Sequence, residues 1–218
     1  PHLHTQRTVI VSPFLNARDL EQIRGKLEDA SMQQVTRHLE GEQQTTRLLS
    51  IAKYGEAVSQ VLRNFASFAD VTDPSLEQIV RYLQGRTFIR DLKTLYDDLH
   101  KREEKGSFVV SGLGMVHAKT EGLSELAAAI FHLSQPAEWK GIDGTTQPVH
   151  TLLLLAAPAH APAEHLETIS EISAALIDEH FIARLCSAND VTIRDAMEKL
   201  LSENYMLKTE QIGKRNGR

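Results

Sequence analysis

Residues 149–156 read VHTLLLLA, the most apolar stretch of the chain. Four consecutive leucines leave neither side of a strand polar, and a strand that is apolar on both sides lies buried inside a sheet. Pro158 and Pro162 follow, and prolines interrupt regular structure. We therefore take this stretch as a strand of a sheet that is covered on both faces, and work outward from it.

Toward the C-terminus the spacing of apolar residues predicts helices. A helix follows the strand, with its apolar positions at Leu166, Ile169, Ile172 and Leu176. Residues 181–186 predict a short helical piece. Thr192 with Asp195 resembles a capping box, which opens a helix through Leu201. The polar, basic tail over 209–218 is expected to be disordered.

Toward the N-terminus the same periodicity predicts three helices, at 58–65, 73–85 and 92–105. A strand at 107–110 and a glycine-containing turn at 112–117 come next. Propensity leaves 127–133 open, because its alanines favour a helix whereas Ile130 and Phe131 favour a strand. Strands bracketed by helices predict an α/β fold, a mixed sheet sandwiched between helical layers.

The first residues predict a strand at 8–11 and an amphipathic helix at 16–28. This strand-helix remnant is too small to fold alone, so we expect the sequence to be a piece of a longer protein. A polar stretch over 30–47 is expected to be a linker.

Composition excludes several classes of protein. Hydrophobic residues make up 41% and charged residues 24% of the 218, with a net charge of −5. These values exclude a disordered chain, and the apolar run at 149–158 is too short to span a membrane. A single cysteine, Cys186, excludes a disulfide framework and favours a cytoplasmic protein. The acidic balance argues against nucleic-acid binding by this piece itself.

Cofactor and metal motifs are lacking. Gly112 and Gly114 begin a G-x-G pattern, but His117 stands where a dinucleotide-binding motif has its third glycine. The sequence contains neither G-x-x-x-x-G-K nor H-E-x-x-H. We therefore expect no cofactor and no metal.

Two histidines are the candidates for chemistry. His117 follows a strand and a glycine-rich turn, where backbone N–H groups can face an anion. His165 opens the helix after the buried strand, at a strand end where α/β sheets bind ligands. A neutral imidazole is a nucleophile near pH 7 and can accept a phosphoryl group. The alternative is that both are ordinary loop histidines.

A family resemblance bears on this choice. The matching stretches are 99–103 (LHKRE), 112–117 (GLGMVH), 155–158 (LAAP) and 164–166 (EHL). They resemble the mannitol/fructose-type IIA domain of the bacterial sugar phosphotransferase system (PTS). The resemblance implies a strand at 127–133 and a phosphorylated His117. It also implies that His165 orients the phosphoryl group and that Arg102, paired with Glu103 at the end of a helix, lends positive charge.

Phosphate contacts are assigned to Gly112, Gly114, Lys119 and Thr120. Val116 stands where sugar-transporting members carry a proline, whereas His117-Ala118-Lys119-Thr120 is similar to IIA-like domains fused to transcription regulators. The first residues resemble the end of a IIB-like domain. Regulators of that kind carry PTS-regulation domains (PRDs) before their IIB-like and IIA-like parts.

The resemblance implies four parts of the chain: a IIB-like tail and linker at 1–45, a linker helix at 46–69, a type 2 IIA domain at 70–206 and a disordered tail at 207–218. The implied function is a regulatory switch rather than turnover, in which the phosphocarrier protein HPr phosphorylates His117. The implied partners are HPr, a IIB-like domain, the PRDs and a second copy in a homodimer, with nucleic acid bound only through N-terminal domains absent here. Two alternatives remain: a transport IIA component that relays phosphate to IIB, and an interaction module that is not phosphorylated.

Overall fold

The computed structural model describes the backbone of residues 39–215 and the side chains of residues 45–210. The predicted strand at 8–11 and helix at 16–28 lie outside the described residues. The described helices are α1 (Leu39–Asn64), α2 (Leu76–Arg81), α3 (Leu92–Glu103), α4 (Ala163–Ala175), α5 (Glu179–Leu185) and α6 (Asp190–Arg215). The strands are β1 (Ala66–Val71), β2 (Phe108–Val110), β3 (Leu113–Thr120), β4 (Ala127–Lys140) and β5 (Thr146–Pro158).

The five strands form one mixed sheet in the order β1-β4-β5-β3-β2. β5 pairs parallel with β3 and antiparallel with β4, while β1 runs parallel to β4 and β2 antiparallel to β3. The stretch at 149–156 thus belongs to the central strand. The predicted α/β architecture, a mixed sheet between helical layers, is confirmed.

Consecutive leucines of β5 point into two separate cores. Leu153 and Leu155 pack in the core that α1, α4, α5 and α6 cover, whereas Leu152 and Leu154 pack in the core that α2 and α3 cover. All four are at most 1% exposed. Alternation of side chains along a strand explains why an uninterrupted apolar run serves both layers.

The structure confirms one prediction about the strands and corrects another. Residues 127–133 are a strand, part of β4, as the resemblance implies. The turn predicted at 112–117 is wrong, because residues 113–120 form strand β3. The reversal occurs at Ser111 and Gly112, with φ of 47° and 78°. Strand β1, at the edge of the sheet with only its ends buried, is absent from the sequence prediction.

Two predictions about helix limits also fail. Helix α1 begins at Leu39, inside the predicted linker, and α6 continues to Arg215, through most of the predicted disordered tail. Tyr54 of α1 stacks on Tyr205 of α6, with their ring centres 6.3 Å apart. Lys208 Nζ lies 2.5 Å from a Glu167 oxygen of α4. These contacts lie between elements that are distant in sequence, so local composition does not reveal them.

Within residues 39–215 no helix combines the length and the hydrophobicity that crossing a membrane requires.

Candidate functional site

His117 lies on the part of β3 that β2 leaves uncovered. β2 pairs only with Leu113–Met115, so beyond Met115 that side of β3 carries no strand. Because side chains alternate along a strand, His117 shares a face with Leu113 and Met115. Both belong to the core that α4 covers. The imidazole therefore lies between the sheet edge and the α4 layer.

Arg102, near the end of α3, reaches His117. Its Nε donates a hydrogen bond to His117 Nε2 at 3.2 Å, and its Nη1 donates to the carbonyl of Gly106 at 3.1 Å. A guanidinium can only donate, so Nε2 must be the acceptor. The His117 ring is consequently neutral, with its proton on Nδ1.

The surroundings of His117 favour this neutral form. The residue is 8% exposed. Burial first, and the Arg102 charge second, lower the pKa of His117 to about 4. At pH 7 the ring therefore carries no charge, and Nε2 has a lone pair available for nucleophilic attack.

A cavity of about 390 Å³ opens beside His117. One wall is apolar, formed by Leu155 and Ala157 of β5 and by Leu166 and Ile169 of α4. The other wall is charged, and its residues are Asp98, Lys101, Arg102, Lys105 and Lys119. Four cations facing one carboxylate give the cavity a positive potential, which suits an anion such as a phosphoryl group.

The structure brings together three of the residues selected from sequence: His117, Arg102 and Lys119. His165 lies in the first turn of α4, directly before the wall residue Leu166. It is 6% exposed, and its Nε2 makes no hydrogen bond within the described part of the chain. Burial is the main cause that lowers the pKa of His165.

The other three selected residues do not line the cavity. Gly112 is at the turn, and its carbonyl accepts a hydrogen bond from His150 N at 2.8 Å. Gly114 pairs with Val109 on one side and Leu152 on the other, so its backbone lies inside the sheet. Thr120 is buried, and its hydroxyl accepts from the Gly122 N–H at 2.9 Å. The turn expected to present backbone N–H groups to an anion is thus part of a paired strand.

Sequence reasoning misses three cavity residues: Asp98, Lys101 and Lys105. From sequence, the run 101–105 is interpreted as a solvated helix end from which Arg102 alone reaches the phosphate. Positions 98, 101 and 102 have the spacing i, i+3, i+4, which places them on one face of α3, and position 105 continues that spacing just beyond the end of the helix. That charged stripe is the signal that could have found them.

Among the side chains described, those of residues 45–210, no group of three or more His, Cys, Asp or Glu could hold a metal ion. A neutral imidazole among cations is an arrangement suited to phosphoryl transfer.

Several known proteins are similar to this chain in sequence or in fold. The family model described as "Phosphoenolpyruvate-dependent sugar phosphotransferase system, EIIA 2" matches residues 69–203. The chain is 32% identical over 114 residues to a nitrogen regulatory protein of Pseudomonas aeruginosa, covering 52% of this chain and 73% of that protein. It is 30% identical over 117 residues to the 2-O-alpha-mannosyl-D-glycerate-specific EIIABC component of Escherichia coli K12.

That second match covers 53% of this chain but only 18% of the EIIABC protein. Among solved structures, nitrogen regulatory protein IIA-Ntr from Neisseria meningitidis superposes with a TM-score of 0.51 at 21% identity. The superposition covers 62% of this chain and 94% of that one, which shows a shared fold.

Proposed function

This chain belongs to the EIIA 2 family of the phosphoenolpyruvate-dependent sugar phosphotransferase system, and from that premise we propose that it is a regulatory IIA-like domain whose His117 accepts a phosphoryl group from phospho-HPr. The observation that carries the proposal is the 3.2 Å hydrogen bond from Arg102 Nε to His117 Nε2 at the wall of the cationic cavity. It marks Nε2 as the unprotonated ring nitrogen, whose lone pair can attack phosphorus once Arg102 moves away.

In the transfer, His117 Nε2 attacks phosphorus while the P–N bond of the donor histidine breaks. The donor nitrogen recovers the electron pair of that bond, and His117 keeps its proton on Nδ1. Arg102 must then leave Nε2 and turn its guanidinium toward the phosphoryl oxygens. Guanidinium groups bind such oxygens with two parallel hydrogen bonds, so the same residue serves both states.

A further feature supports a phosphorylated state. Lys101, Lys105 and Lys119 add positive charge around the phosphoryl position, where it stabilises the charge of the transferred group. In this proposal His165 orients the phosphoryl group, as the resemblance implies. His165 is not among the residues that line the cavity, so that role requires its ring to turn toward His117.

A regulatory role is supported by the relative named as a nitrogen regulatory protein, which this chain covers to 73% of its length. Phosphorylation adds a charge of about −1.5 to −2, enough to offset much of the cationic wall. In this proposal the change is read by the remainder of a cytoplasmic regulator: a IIB-like domain, the PRDs, a second copy in a homodimer, and nucleic-acid-binding domains beyond this sequence.

The test is phosphoryl transfer from phosphoenolpyruvate through enzyme I and HPr, with the product read by intact mass and acid lability. We expect one acid-labile phosphoryl group on the wild type and none on His117→Ala. His160→Ala is the matched control, since that histidine is highly exposed and not a cavity residue. Absence of labelling with HPr active on a second acceptor would refute the proposal and favour an interaction module.

The sugar-specific relative supports a second candidate, a transport component that passes its phosphoryl group to a IIB protein. The two roles differ in the fate of the phosphoryl group on His117. A transport component transfers the group rapidly and reversibly to a separate IIB protein, whereas a switch retains it. Loss of label from the phosphorylated chain on adding IIB proteins would establish the transport role.

A further inference from the structure

We propose that Trp139 is a positioning residue for the phosphoacceptor: through Ser107 and the loop that follows α3, it holds Arg102 in line with His117. The functional consequence rests on the proposed phosphorylation of His117. The positioning itself is a property of the unphosphorylated protein and is testable there.

Arg102 depends on this loop for its orientation. Its Nη1 donates to the carbonyl of Gly106 at 3.1 Å, and this second anchor fixes the direction of the guanidinium. Gly106 N in turn donates to the carbonyl of Glu103 at 2.8 Å. Displacement of the loop over 104–107 would therefore rotate Arg102 away from His117 Nε2.

A chain of side-chain hydrogen bonds fixes the same loop. Trp139 Nε1 donates to Ser107 Oγ at 2.6 Å, and the Ser107 hydroxyl donates to a carboxylate oxygen of Glu103. Ser107 is 1% exposed. Burial, the largest effect, raises the pKa of Glu103. The Ser107 hydroxyl therefore joins an indole on the sheet to the end of helix α3, next to Arg102.

The backbone of the β4–β5 hairpin, which carries Trp139, also forms hydrogen bonds with the loop over 104–107. Ser107 N donates to the carbonyl of Lys140 at 3.0 Å, and Ile142 N donates to the carbonyl of Ser107 at 2.9 Å. Gly106 has φ of +87°, and a Cβ there would lie 2.4 Å from the carbonyl oxygen of Gly141. The outer part of the β4–β5 hairpin thus holds in place the loop over 104–107, which orients Arg102. We call this contact the clamp.

Trp139 lies in the outer segment of β4, beyond a shift in the β4–β5 pairing between His132 and Ala137. It packs against the α2–α3 core layer, as Phe131 of the inner segment does. It also approaches Gly114, whose Cβ would lie 3.6 Å from the Trp139 ring. The tryptophan is no part of the cavity wall, and its effect on His117 must pass through Ser107 and Arg102.

The experiment is ¹H–¹⁵N NMR of the His117 ring, recorded for the unphosphorylated protein as a function of pH. The variants are Trp139→Phe and Ser107→Ala. The first removes the hydrogen bond from Trp139 to Ser107, and the second removes both hydrogen bonds of the Ser107 hydroxyl. Arg102→Gln is the positive control, and Ile142→Ala, at an exposed position of the same hairpin, is the negative control.

We expect the wild type and Ile142→Ala to show the proton on Nδ1 and a lowered pKa. Trp139→Phe and Ser107→Ala should both show mixed tautomers, a His117 pKa shifted toward its ordinary value, and phosphoryl acceptance slower by about tenfold. Folded Trp139→Phe and Ser107→Ala proteins with a wild-type ring would overturn the inference. So would an unchanged ring in Arg102→Gln. If the wild type accepts no phosphate, the proposed function fails, but the ring signals still decide this inference.

Discussion

At His117, burial and a neighbouring guanidinium act in the same direction. Each disfavours the imidazolium, and together they hold the ring neutral over the physiological pH range. The guanidinium that keeps the ring neutral is also already adjacent when a phosphoryl group arrives. The positive charge of Arg102 repels a protonated His117 ring. The same charge attracts the dianionic group of a phosphorylated ring.

Arg102→Lys separates the charge of this residue from its shape. Lysine keeps the positive charge but cannot donate from a fixed planar fork to both His117 and Gly106. We expect the initial rate of phosphorylation by phospho-HPr to fall about tenfold. A rate equal to that of the wild type would show that charge alone is sufficient.

His117→Gln is expected to alter the pH dependence of stability. The folded pKa of His117 is about 4, and the unfolded value is about 6.5. Between these values the unfolded chain binds more protons, so stability falls as pH drops from about 6.5 to about 4. Urea unfolding at pH 7 and pH 4.5 measures this fall. We expect it to be smaller in His117→Gln by about 2 kcal/mol, and an equal fall in both proteins would contradict the assigned neutral state.

At the scale of elements, periodicity predicts most helices and the buried strand, because those segments pack one stripe or both faces against a core. It fails where long-range pairing decides the structure. Residues 113–120 contain glycine and polar residues, yet β5 beside them makes them a strand. Helix α1 also begins earlier than predicted, at Leu39, although the side chains of residues 45–49 in its polar first part are exposed. For the site, sequence motifs select His117, Arg102 and Lys119, but not Asp98, Lys101 and Lys105, the other charged residues at the C-terminal end of α3 that line the cavity.

Gly106→Ala tests the clamp between hairpin and loop. A Cβ at this position combines a strained φ with backbone overlap on Gly141, and we expect a loss of about 3 kcal/mol in unfolding free energy. Gly144→Ala is the matched control, because Gly144 has φ of +81° in the same hairpin with open space around its Cβ position. There we expect a loss of about 1 kcal/mol. Urea denaturation of both variants measures the difference, and equal losses would mean that the loop and hairpin are not in tight contact.

At the scale of the whole molecule, α1 and α6 form an antiparallel pair that packs on α4. Tyr54 lies opposite Tyr205, and Arg194 lies over Phe65 at the other end of the pair. The Tyr54 hydroxyl donates to Glu171, and Lys208 binds both Glu167 and Glu171 while its Nζ lies 4.6 Å from the Tyr54 ring centre. Helix α1 precedes the residues that the family model matches, so this cluster joins an added helix to the family domain.

Tyr54→Phe should weaken that junction. The hydroxyl is buried with the carboxylate of Glu171, and its loss leaves that carboxylate with Lys208 and Asn204 as partners. We expect a loss of about 1–2 kcal/mol in unfolding free energy. Tyr205→Phe is the control, because the Tyr205 hydroxyl makes no hydrogen bond within the described residues. Equal stability of Tyr54→Phe and Tyr205→Phe would rule out the hydroxyl as a link.

The central claim is that His117 Nε2 is the phosphoacceptor, and NMR of the ¹⁵N-labelled protein after transfer from phosphoenolpyruvate, enzyme I and HPr tests it most directly. Coupling between phosphorus and ring nitrogen identifies the atom that carries the group. We expect one phosphoryl group per chain, on Nε2 of His117. Phosphorylation at Nδ1, at another residue, or at no residue with an active donor would contradict the claim.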